Sequence, residues 1–272
     1  MSKMRKHINP KMKDNSKQKD EKSGFFREDD IFLVSYPKSG NTWVRFLIAN
    51  LVQPNKEVTF LNIDECVPDI HKNSIEEISV NVIERPRIIK SHNLYNPTYK
   101  RVIYIVRDPR SVSVSLYHHL IKFFKIPDQY PFEEFVENFI KGNYMSYFGS
   151  WDSHVLGWMS GTKNNNTDFI CLKYEDLKDE TEKELTKVAD FLGLKINQEL
   201  CQRTITASSF NKMRQLESMD WEKSKALSNG NPHKRFVRSG QVDEWKSYFN
   251  QESERKLLSK FRPAMEALGY TD

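Results

Sequence analysis

Apolar residues recur along this chain in two rhythms. Ile31–Ser35 (IFLVS) is a short continuous apolar run ending at a turn, the pattern of a strand buried on both faces. Ile88–Lys90, Val102–Val106 and Phe169–Leu172 repeat that pattern. Between them the spacing becomes helical. From Thr42 onward, Trp43, Phe46, Leu47 and Leu51 recur at helix intervals, and Phe132, Phe135, Val136, Phe139 and Ile140 fit i, i+3, i+4, i+7, i+8. Glu182–Leu192 reads as a helix closed by Gly193. After Val106, Pro109 stands where a helix tolerates proline, in its first turn. Strands separated by helical stretches predict a single α/β domain with a central, mostly parallel sheet flanked by helices on both faces. Ligands of such sheets sit beyond the carboxyl ends of the strands. Three of these ends carry polar clusters: SYPKSGNT, KSH and RDPRS. The polar segment 218–241, rich in turn formers, reads as a long loop of the kind that serves as a lid.

Composition narrows the reading. With 272 residues, 38% of them hydrophobic, the chain can bury a sizeable core. The net charge of +5 belongs to an appendage: residues 1–24 carry eight Lys/Arg against three Asp/Glu, leaving 34 of each in the rest. The balanced body gives no charge argument for a nucleic-acid partner. The tail has no apolar core and reads as disordered, so the domain is expected over 25–272. No apolar run approaches the roughly 18 residues of a membrane span, and the expectation is a soluble, cytoplasmic protein. Cys66, Cys171 and Cys201 share no CxxC spacing and read as buried thiols.

The chemistry gathers at Ser35–Leu47, SYPKSGNTWVRFL. A helix N-terminus presents unpaired N–H groups and the positive end of a dipole. Gly40 lets the backbone approach an anion, and Lys38 adds a full charge. An isolated K-S-G-x-T is also compatible with a surface turn whose lysine is solvated. A nucleotide kinase would need GxxxxGK[ST], which the chain lacks. A binding module driven by the basic tail is a third alternative.

YPKSGNTW resembles the 5′-phosphosulfate loop of the cytosolic-type sulfotransferases, which use 3′-phosphoadenosine 5′-phosphosulfate (PAPS). RDPRSVSVSLYHH resembles their 3′-phosphate segment. KSH, LKYED, SSF and FVRSGQVDEW follow in the family's order, spanning about residues 31–249. The resemblance implies a P-loop-NTPase-like sulfotransferase fold and two separate anion sites. The first is Lys38, Ser39, Gly40, Asn41 and Thr42, with Trp43 near the adenine. The second is Arg107 and Ser115, joined by Arg238, Ser239 and Gly240. Tyr174 and Phe210 would line the adenine and Ser208 would hydrogen-bond it. His92 would be the base, Lys38 the stabiliser of the leaving oxygen, and Lys90 a contact to the acceptor or the sulfuryl oxygens. A sulfuryl group carries less charge than a terminal phosphoryl, so no metal is expected. The acceptor would be a small organic hydroxyl or amine, with aromatics such as Tyr95, Phe123, Tyr147 and Phe148 beside it. The remaining histidines, His71, His118, His119 and His154, read as packing residues. Three departures stand out: Ser239 occupies a lysine place, Asp243 a glycine place, and the family's dimer motif is not evident in KSYFNQESER.

Overall fold

The four apolar runs form one sheet. They are β1 (Ile31–Ser35), β2 (Ile88–Ser91), β3 (Arg101–Val106) and β4 (Asp168–Lys173). All pairings are parallel, in the order β2-β1-β3-β4. The computed structural model describes residues 26–73, 78 and 86–270; the basic tail of residues 1–24 lies outside them. Val34 pairs with both Ser91 and Tyr104, so β1, β2 and β3 end along one edge. The three polar clusters that follow these strands therefore converge.

The helices are α1 (Asn41–Val52), α2 (Ile63–Cys66), α3 (Pro109–Lys122), α4 (Phe132–Ile140), α5 (Trp151–Asn164) and α6 (Tyr174–Asp179). After them come α7 (Thr181–Leu192), α8 (Gln198–Ala207), α9 (Phe210–Asp220), α10 (Lys225–Ser228) and α11 (Gln251–Ala267). Side chains of the inner strands alternate between two cores. Phe32, Val34, Val102, Tyr104 and Val106 face one core with Leu116, Phe135, Trp151, Trp158 and Phe261. Ile31, Leu33, Ile103 and Ile105 face the other with Val44, Leu47, Leu185, Val188 and Leu216. Helix α3 starts where Pro109 predicted, with the Asp108 carboxylate accepting from the Arg110 N–H at 2.7 Å. Gly193 ends α7 in the left-handed region, φ 72°.

Two sequence expectations change. Segment 218–241 is not one loop, because α9 runs on to Asp220 and α10 adds a turn. Its later part is pinned down: the Glu217 carboxylate accepts from the N–H groups of Phe236 (2.6 Å) and Val237 (3.0 Å), and Arg214 donates to the carbonyls of Val237 and Arg238. Cys171 is exposed rather than buried, because β4 is an edge strand. Among the described residues no helix is long and apolar enough to cross a membrane.

Candidate active site

The β1–α1 loop is shaped for close approach. Gly40 precedes α1 at φ 99°, and no side chain caps the helix. A Cβ at Gly40 would stand 2.4 Å from Cδ2 of Tyr174, so ring and backbone are in contact there. Lys38 also has positive φ, 72°, a conformation costing a side-chain-bearing residue about 1–2 kcal/mol. The Oγ of Ser39 and Oδ1 of Asn41 are buried and find no hydrogen-bond partner among the described residues. A serine hydroxyl there suits an anion. The Asn41 oxygen does not, being an acceptor; its amide instead donates to Ser35 Oγ at 3.2 Å.

The second predicted anion site lies beside the first. Arg107 sits over the Tyr174 ring at 4.1 Å and donates from Nη2 to the Gln241 carbonyl at 2.9 Å, while its buried Nε has no partner. Lys38, Ser115 and Arg238 line one cleft of about 250 Å³ with His118, His119 and Phe236. Arg238 is held by Glu244, which takes both guanidinium arms (Nη2–Oε2 2.5 Å) and also accepts from Ser239 Oγ at 2.8 Å. A phosphate contact by the Ser239 hydroxyl therefore requires exchange with Glu244, whereas Arg238 keeps further N–H donors beside that pair. Gly240 packs on Phe210: a Cβ there would lie 3.2 Å from the ring.

Around the expected adenine position, Trp43 and Tyr174 meet edge to face at 5.7 Å. Trp43 Nε1 donates to the Ser208 carbonyl at 3.1 Å. The Ser208 hydroxyl, expected to meet adenine, is fully buried and accepts from Asn50 Nδ2 at 3.1 Å. That contact ties α1 to the α8–α9 junction and leaves the hydroxyl proton uncommitted.

His92 stands one residue beyond β2. Its Nδ1 lies 2.7 Å from the Ser35 carbonyl, an acceptor only, so Nδ1 carries the proton and Nε2 the lone pair. Its own carbonyl accepts from His154 Nε2 at 3.1 Å, and the Tyr104 hydroxyl donates to His154 Nδ1 at 2.9 Å. The chain Tyr104–His154–His92 fixes the loop from the floor of the sheet. Burial, with Lys90 and His71 adding charge repulsion, holds the His92 imidazole well below its usual pKa despite the Ser35 carbonyl. It is neutral at pH 7.

Lys90, expected to contact the acceptor or the sulfuryl oxygens, is held by an ion pair. Its ammonium bonds Asp69 Oδ2 at 2.7 Å, and both side chains are buried. Asp69 reaches it because the chain at Pro68–Ile70 runs beside β2, the Lys90 N–H donating to the Pro68 carbonyl at 2.8 Å. Lys90 thus supports the site from a buried ion pair in this structure.

Two histidines read as packing residues also belong to the site. His71 Nε2 accepts from the His92 N–H at 2.9 Å, and the two rings stack at 5.8 Å, with Phe148 edge-on to both. Nothing local in the sequence signals this. His119 Nδ1 lies 3.2 Å from Lys38 Nζ. Its signal was available: His119 is four residues from Ser115, so both share a helix face. Of the other aromatics, Tyr147 lies near His71 and Phe123 packs on His119, whereas Tyr144 stacks on Phe135 within the core. His118 donates to or accepts from the Tyr248 hydroxyl at 2.7 Å at the cleft's edge.

Comparison with known proteins gives one answer. A sulfotransferase domain model matches residues 28–269. Sulfotransferase 1E1 of Bos taurus is 30% identical over 260 residues, 88% of this chain and 84% of its own length. Sulfotransferase 1B1 of Canis lupus familiaris is 29% identical over 85% of this chain and 81% of its own. The crystal structure of mouse sulfotransferase SULT7A1 complexed with PAP aligns at TM-score 0.68 and 28% identity, over 88% of this chain and 84% of that one. Retinol dehydratase, solved with androsterone and PAP, aligns at TM-score 0.71 over 88% and 81%; at 20% identity it speaks for the fold alone. This chain belongs to the sulfotransferase-domain family, enzymes that draw their sulfuryl group from PAPS.

Proposed function

We propose that this enzyme moves a sulfuryl group from PAPS to a hydroxyl or amine of a small organic acceptor by in-line displacement, with His92 as base and Lys38 stabilising the leaving oxygen. The observation that carries this reading is a pair of buried donors without partners, Ser39 Oγ and Arg107 Nε, one in each predicted anion site. Leaving such a group unpaired costs about 1–3 kcal/mol, a cost relieved by an anion that reaches both. PAP, the ligand of the SULT7A1 structure, carries one phosphate at each end. The bound donor would supply an activated sulfuryl group whose leaving group is a phosphate oxygen.

The chain's own residues then have distinct tasks. Lys38, Ser39 and the amide groups opening α1 would hold the 5′ end. Arg107 and Ser115 would hold the 3′-phosphate, with Arg238 joining through N–H donors that Glu244 leaves free. Trp43, Tyr174 and Phe210 would flank the base. His92 Nε2 has the lone pair that takes the acceptor's proton, because Nδ1–H is fixed on Ser35. The Lys38 ammonium would meet charge developing on the bridging oxygen. The phenyl ring of Phe148 beside His92 supports an acceptor with an apolar part.

Transfer of radiolabelled sulfate from PAPS tests the assignment. His92→Ala is expected to lose roughly 10²–10⁴-fold in kcat and Lys38→Ala roughly 10²–10³-fold, both remaining folded, with EDTA without effect on the wild type. Full activity of either variant would reject that residue's role.

A further inference from the structure

We infer that His119 is a positioning residue for Lys38: its Nδ1 lone pair accepts from the ammonium and aims it along the cleft. The inference rests on the role proposed for Lys38 but concerns a residue which that reading leaves out. Three observations carry it. Lys38 Nζ and His119 Nδ1 are 3.2 Å apart, and an ammonium only donates, so Nδ1 accepts and the ring proton sits on Nε2. Lys38 needs such a partner. Its backbone is in the left-handed region, and its nearest charged neighbours are cations, Arg107 after β3, Arg238 in the 230–241 segment and Lys90 in β2. No carboxylate pairs with it among the described residues. Finally, His119 stands on the face of α3 that carries Ser115 into the same cleft, with Lys122 on its own helix, Phe123 just beyond the helix end and Phe236 opposite.

Geometry explains why an imidazole serves where a carboxylate would not. A carboxylate would neutralise Lys38 and compete with the donor's phosphates for it. A neutral acceptor fixes the ammonium's direction, favours its charged form, and leaves its full charge available to the leaving oxygen.

The ring's surroundings allow a sharp test. His119 packs between Phe123 and Phe236, so His119→Phe preserves the packing and removes the acceptor. His119→Asn places an amide oxygen near the Nδ1 position and restores it. Two readouts apply to the full-length protein. One is the pH midpoint of the Lys38 side chain, followed by NMR of 13Cε-labelled lysine and assigned by its loss in Lys38→Met. The other is the pH profile of kcat for sulfuryl transfer. The Phe variant is expected to lower the Lys38 midpoint by on the order of one pH unit, move the basic limb of kcat down with it, and lose roughly tenfold in kcat at pH 7.5. The Asn variant should recover most of the shift. A Phe variant with the wild-type midpoint, or an Asn variant shifted as far as the Phe variant, overturns the inference. The NMR midpoint needs no turnover, so it decides this point even if PAPS proves not to be the donor.

Discussion

The base role proposed for His92 depends on where its proton is held. The Ser35 carbonyl fixes Nδ1–H, and burial beside Lys90 and His71 keeps the ring neutral. A base that must be neutral loses rate as pH falls through its pKa. Because that pKa lies well below 6.5, protonation of His92 should cost no rate above pH 6.5, and the acid limb of kcat should appear only below it. A stopped-time assay across pH 5–8 checks this; an acid limb above 6.5 would contradict the geometry. Lys38 carries the opposite sign. Burial, then Arg107, Arg238 and Lys90, push its pKa down to about 7, so in the free protein the ammonium gives up its proton near neutrality. An anion in the cradle favours the charged form and raises that pKa. Binding of PAP at pH 8 should therefore take up part of a proton, with the uptake abolished in Lys38→Met. Calorimetry in buffers of different ionisation enthalpy measures it, and net proton release would refute it.

At the scale of elements, the β1–α1 loop and α6 meet through one contact. Tyr174 lies against Gly40 and beneath Arg107, so a single ring borders both anion sites. Gly40→Ala would force a methyl to 2.4 Å from that ring in a backbone conformation with φ 99°. We expect a folded protein about 1–3 kcal/mol less stable, with PAP affinity reduced on the order of tenfold or more, as read by thermal melting and calorimetry. Unchanged affinity would show that the ring's position does not matter. The elements themselves were legible in the sequence. Continuous apolar runs marked all four strands, Gly193 and Pro109 marked helix ends, and the motif residues fell where parallel strands end. What was not legible depends on contacts between distant segments. Asp69 reaches Lys90 only because the chain after α2 lies along β2, and Glu244 reaches Arg238 only through the turn at Gly240. Cys171 was misread because a run such as FICL does not say which strand will be the edge.

Across the whole molecule, stability and chemistry sit at opposite ends of the sheet. At the amino ends of β1 and β2, Arg87 grips Asp30 through Nε (2.7 Å) and Nη2 (2.5 Å), with both side chains at most 1% exposed. Removing one member of such a pair strands a buried charge at a cost of about 3–5 kcal/mol. Arg87→Ala should show that loss in urea unfolding while the folded protein binds PAP with near-native affinity, since the carboxyl ends of the strands are untouched. A large affinity loss without destabilisation would contradict this division. The carboxyl ends bring together the two proposed anion sites from separate parts of the chain, Lys38 and Ser39 after β1, Arg107 and Ser115 after β3. Calorimetric comparison of PAP with AMP measures the second site directly, because the two ligands differ only in the 3′-phosphate. Charge-assisted contacts to that phosphate should make PAP bind roughly 10- to 100-fold more tightly, whereas equal affinities would contradict the account of a donor held at both ends.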